Sequence, residues 1–118
     1  GIDFSSELCS AAEANIARFR NLTGSPAEIS VLCADAMDVE PPQERCVLYM
    51  FNPFSERVMQ RVHRQTDLSL RRTPRDILVA YDNPQWKHTT FDRCEYLRVH
   101  TSSLWTPNWY IIYRSIPS

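Results

Sequence analysis

Cys46-Val47-Leu48-Tyr49-Met50-Phe51-Asn52-Pro53-Phe54 sets the expected architecture of the chain. Six consecutive apolar residues stop abruptly at Asn52-Pro53, the pattern of a short strand buried on both faces and ended by turn residues. Such a strand belongs in the middle of a parallel sheet. In open parallel sheets the ligand crevice lies beyond the carboxyl ends of the strands, so Asn52, Pro53 and Phe54 fall where chemistry is usually done.

Downstream, Ser55 can cap a helix running to about residue 70, with Val58, Met59, Val62, Thr66 and Ser69 on its inward side. Arg57, Arg61 and Arg64 recur on another face, and Thr73-Pro74 ends the helix. Residues 76–81, with Ile77, Leu78, Val79 and Ala80, read as a further buried strand broken at Asp82-Asn83-Pro84. Residues 85–93 hold at most a turn of helix. Alternation over 95–100 and again over 109–114, with 101–108 between, predicts an antiparallel pair.

Upstream, residues 28–34 read as a strand around Ile29, Val31 and Leu32, and 38–44 with Pro41-Pro42 as a surface loop. Ser5 or Ser6 can cap a first helix whose face is Leu8, Ala12, Ile16 and Phe19, stopped by Gly24 and Pro26. Residues 2–4 are too short to assign alone. The order is strand, helix, strand, strand, helix, strand and a hairpin, which predicts an α/β fold with a mostly parallel sheet and an antiparallel edge.

The 118 residues fit a single domain, and 43% hydrophobic content fits a folded protein. A net charge of −1 argues against a broad attraction to nucleic acid or a membrane surface. No apolar stretch reaches the length of a membrane span and no leader-like segment opens the chain, so the expected location is cytoplasmic. Cys9, Cys33, Cys46 and Cys94 show no zinc-finger spacing and are expected as buried free thiols. His63, His88 and His100 share no metal-ligand spacing; His88, beyond Asn83-Pro84, is a candidate base with a surface histidine as its plain alternative.

A parallel sheet that finishes in an antiparallel hairpin resembles the class I S-adenosylmethionine-dependent methyltransferases. Gly1-Ile2-Asp3-Phe4-Ser5 looks like the end of that family's second strand. The resemblance implies that Asp3, with Phe4 beside it, meets the cofactor's ribose; a carboxylate suits a diol because it offers only acceptors. A helix-flanking Asp in a turn is the competing reading. Cys33-Ala34-Asp35-Ala36-Met37 looks like the segment after the third strand, implying that Asp35 takes the adenine amino group, the Ala36 amide a ring nitrogen, and Met37 the adenine face. A loop Asp capping a turn competes here. Asn52-Pro53-Phe54 resembles the Asn/Asp-Pro-Pro-Tyr/Phe motif of methyltransferases acting on amino nitrogens, with one Pro missing; the resemblance makes Asn52 and Phe54 catalytic, Asn52 also touching the cofactor, and leaves the methyl acceptor unread.

The resemblance begins at the family's second strand. Only Gly1 and Ile2 precede Asp3, Gly24 is the one other glycine, and no Gly-x-Gly motif is present. The expectation is a single partial domain over 1–118, Rossmann-like but N-terminally truncated, missing the first strand, glycine-rich loop and helix. In the family order 3-2-1-4-5-7-6 the missing strand would leave an apolar edge, which invites a homo-oligomer or strand exchange. A fragment, a strand-repairing oligomer and a rearranged sheet with another role all remain open. The function expected is therefore a methyltransferase fragment or remnant, weak or inactive alone, or a non-catalytic interaction module on the same scaffold. Trp105, Trp109 and Tyr110 could serve such an interface. Arg57, Arg61, Arg64, Arg71, Arg72 and Arg75 form the only basic concentration, with a solvated helix face as the favoured reading over phosphate contacts.

Overall fold

The structure, a computed structural model, describes residues 1–51, 55–105 and 108–116, the Asn108 side chain excepted. The chain divides into two compact units, Gly1–Val39 and Glu40–Ser118.

In the first unit, β1 (Ile2–Asp3) lies parallel to β2 (Leu32–Cys33), with α1 (Ser6–Thr23) between them in sequence. Ile2 is in register with Leu32 and Asp3 with Cys33. The helix starts where Ser5 leaves extended backbone and its Oγ accepts the Leu8 amide at 3.3 Å, with Glu7 in the first turn favoured by the helix dipole. It stops at Gly24, whose φ of 62° is the left-handed cap that glycine adopts most cheaply, its amide donating to the Arg20 carbonyl. Arg20 then reaches Ile29 O at 2.9 Å and holds the returning chain.

In the second unit, β3 (Cys46–Phe51), α2 (Glu56–Arg72) and β4 (Ile77–Asp82) form a parallel crossover, and β5 (Leu97–Trp105) and β6 (Asn108–Ser115) a hairpin. The sheet order is β3-β4-β6-β5, with β4 parallel to β3 and antiparallel to β6. Alternation in β4 turns Ile77, Val79 and Tyr81 to one face, where Ile111 and Tyr113 of β6 join them. Met59 and Leu70 of α2, with Phe91, Cys94 and Leu97, complete this core. Each such side chain removed from water contributes roughly 1.5–3 kcal/mol. Asp67 of α2 accepts the Glu95 and Tyr96 amides at 3.1 and 2.9 Å, fixing the start of the hairpin to the helix.

The α/β class and the hairpin agree with expectation, but the expected mostly parallel sheet is instead a parallel pair and a separate mixed four-stranded sheet, and β3 does not lie in the middle of the latter. It is an edge strand, and its pattern is one-sided: Cys46, Leu48 and Met50 pack on the core while Val47, Tyr49 and Phe51 are 63, 67 and 60% exposed. An unbroken apolar run records that both faces are apolar; covering both requires a second layer, and α2 supplies only one. The expected face of α1 is likewise largely uncovered, with Leu8 and Phe19 exposed and Cys9 its buried residue. An 18-residue helix spans about 27 Å, far more than two strands of two residues can shield. The strand expected over 28–34 shrinks to Leu32–Cys33, because β1 offers partners only there. The hairpin strands are longer than their alternation, with a bulge between Val99 and Thr101 that breaks the period while the ladder continues to Trp105.

His63, on the buried side of α2, was not among the residues expected there. Its Nδ1 lies 3.5 Å from the Cys94 thiol, and its ring meets Phe91 edge-on. Burial foremost, then Arg64, with Arg93 adding and Asp67 opposing, holds its pKa below the ordinary value. The unfolded imidazole takes up a proton near pH 6.5 while the folded one resists, so stability is complete above that pH and falls as pH drops toward the folded value. The urea midpoint should therefore be lower at pH 5.5 than at pH 7.5, and His63→Gln should shrink the difference.

Candidate functional site

Because β1 and β2 run parallel, Asp3 at the end of β1 and Asp35 just past β2 stand at the same end of that two-stranded sheet. Asp3 Oδ1 accepts the Ser5 amide at 2.9 Å, and Asp35 Oδ1 accepts the Met37 amide at 2.9 Å as cap of a helical turn over Ala36–Asp38. Each carboxylate thus performs the local turn role that competed with the ligand role in the sequence. In each, Oδ2 has no hydrogen-bond partner among the described residues and keeps its acceptor capacity. Asp35 is exposed, Asp3, Ala36 and Met37 are half-buried, and Phe4 is 76% exposed. A set of acceptors beside apolar side chains can receive a ligand rich in hydroxyl and amino donors.

Asn52, Pro53 and Phe54 lie outside the described residues. At the carboxyl ends of β3 and β4, Tyr49 donates its hydroxyl to Asp82 Oδ2 at 3.1 Å, and this hydrogen bond, with Asp82's charge adding, pushes the phenol pKa up. Asn83 follows in the left-handed region at φ 52°, its amide donating to Trp109 O at 2.8 Å. The pair went unread because Tyr49 sits inside an apolar run. Pairing the two strands in register would have revealed it, since Asp82 faces Phe51 and Tyr49 is next on that face.

A second cluster gathers around Asp92. Its Oδ1 accepts the Tyr113 hydroxyl at 2.5 Å, and its Oδ2 lies 3.2 Å from both Lys87 Nζ and His88 Nδ1. Burial, with Asp92 adding, raises the Tyr113 pKa strongly, so the phenol remains a donor. Lys87, Asp92, Arg98 and Tyr113 border an open hollow of about 470 Å³; His88, the candidate base, does not line it and stands on the surface, its side chain 81% exposed, paired with Asp92. The arrangement fastens the 87–93 segment to β6.

The expected basic face divides into structural and solvent-facing arginines. Arg75 gives its guanidinium to Pro42 O at 2.6 Å, to Ser69 Oγ at 2.8 Å and to Thr73 O at 2.8 Å, a purely structural use. Arg61, Arg64 and Arg72 line a hollow of about 280 Å³, where Glu40 lies 3.7 Å from Arg72. That exposed pair is worth little.

Losing the buried hydroxyl of Tyr113 should matter more. Tyr113→Phe is expected to lower unfolding stability by about 1–2 kcal/mol, read from urea denaturation, because a hydrogen bond to a charged acceptor disappears.

In comparisons with protein-family models, curated proteins and solved structures, nothing matches the chain.

Proposed function

We propose that the chain carries the adenosine-binding strands of an S-adenosylmethionine-dependent methyltransferase. The observation that carries the reading is the position of Asp3 and Asp35 at the same end of two neighbouring parallel strands. In the resembled family, the second and third strands are neighbours and end in these two acidic residues. The other sheet supports it too: β3-β4-β6-β5 with an antiparallel hairpin corresponds to the family's 4-5-7-6. A Rossmann-like sheet without its first β-α unit is part of the same proposal.

The acceptors present suit the hydroxyl and amino donors of such a cofactor. The Oδ2 of Asp3 can accept from ribose hydroxyls and that of Asp35 from the adenine amino group, while Phe4 and Met37 offer apolar surface to the ring. When bound, S-adenosylmethionine supplies an already activated methyl group, so the protein's own part is to hold donor and acceptor in line. Asn52 and Phe54 enter as transfer-site residues on the resemblance alone.

A second reading, an oligomerising module on this scaffold, is favoured by the exposed row Val47, Tyr49 and Phe51 on an edge strand. One sample tests both. Calorimetric titration with S-adenosylmethionine and S-adenosylhomocysteine should give weak, saturable binding, weakened about tenfold or more by Asp3→Asn or Asp35→Asn, which keep the turn-capping oxygen. Binding that these variants leave unchanged, or no binding, overturns the first reading. A dimer by light scattering that Phe51→Asp disperses would establish the second.

A further inference from the structure

Two of the four thiols meet in the first unit. Cys9, in the first turn of α1, is 5% exposed and donates its Sγ–H to Asp3 O at 3.3 Å. Cys33, the last residue of β2, is exposed, is the register partner of Asp3, and lies 3.9 Å from the next carbonyl, Phe4 O. The sulfurs therefore approach two consecutive carbonyls of the same short segment, one from the helix and one from the neighbouring strand. We propose that Cys9 and Cys33 are a reversible redox pair that closes to a disulfide between α1 and β2.

The chemistry divides the roles. The Cys33 thiolate, being exposed, attacks a small-molecule disulfide; a bond forms from Cys33 Sγ to one sulfur and the other leaves as a thiolate. Cys9 Sγ, losing its proton, then attacks Cys33 Sγ and expels the second small thiolate. The protein loses two electrons and two protons, and the small disulfide becomes two thiols. Cys9 is the resolving partner because it is buried and its pKa is pushed up to about 11, first by the neighbouring Cys33 thiol and then by burial. The other thiols are placed differently: Cys94 is buried against His63 Nδ1 at 3.5 Å, and Cys46 lies half-buried at the start of β3.

The pair adjoins the proposed adenosine site without depending on it. A bond from Cys9 to Cys33 ties the helix start to the far strand and closes the chain between them, which constrains the unfolded state.

The test treats the full chain with oxidised glutathione, blocks remaining thiols with iodoacetamide and maps peptides by mass spectrometry. The expected result is loss of two of the four free thiols, a Cys9–Cys33 cross-linked peptide, reversal by dithiothreitol, and a melting temperature raised by about 4 °C or more. Cys9→Ser should stop the reaction at a glutathione adduct on Cys33, and Cys46→Ser should leave the cross-link intact. Retention of all thiols, a stable adduct on Cys33 in the unaltered chain, a cross-link involving Cys46 or Cys94, or an unchanged melting temperature would overturn the proposal.

Discussion

The second unit depends on β4 having a hydrogen-bonded neighbour on each side. Its backbone is satisfied by β3 in one direction and β6 in the other, so Ile77, Val79 and Tyr81 can be wholly buried without leaving polar groups unpaired. Everything else in that unit is positioned from it. The helix α2 covers the face these three residues make, and Phe91 sits between Tyr81 and Tyr113 with ring centroids 6.0 and 5.6 Å away. Ser115 closes the far end, accepting the Ile77 amide at 2.9 Å and donating to Arg75 O at 2.8 Å. Arg75 in turn binds the end of α2 to the loop before β3.

Much of this was legible. Ser5, Gly24 and Thr73-Pro74 mark the helix ends because capping and breaking are local chemistry that a few residues determine. The apolar strands and the hairpin were equally plain. Neighbours were not: the run 46–51 announces a strand with two apolar faces, but which strand stands beside it and which layer covers it are decided by distant residues. His63 escaped for a related reason, since an imidazole becomes core only where a thiol and a phenyl ring receive it.

The positions of Asp3 and Asp35 at strand ends were readable in the sequence, and the hydrogen bonds around them were not. Asp3 and Asp35 stand at strand ends, as the sequence predicts, and each gives one oxygen to a local turn while the other has no hydrogen-bond partner among the described residues. The Tyr49–Asp82 and Tyr113–Asp92 pairs needed the strand register and the loop path, neither of which spacing along the chain encodes.

The brevity of the β1–β2 ladder also has a dynamic consequence. Ile2 and Leu32 close a loop of about thirty residues for a ladder of two register pairs, so loop-closure entropy nearly balances the hydrogen bonds gained. The amides of Leu32 and Ala34, bonded to Gly1 O and Asp3 O, are therefore expected to open at a lower free energy than those of the doubly flanked β4. Proton exchange with solvent would sample that opening many times for each global unfolding, and a ligand able to bridge the ends of β1 and β2 would slow it.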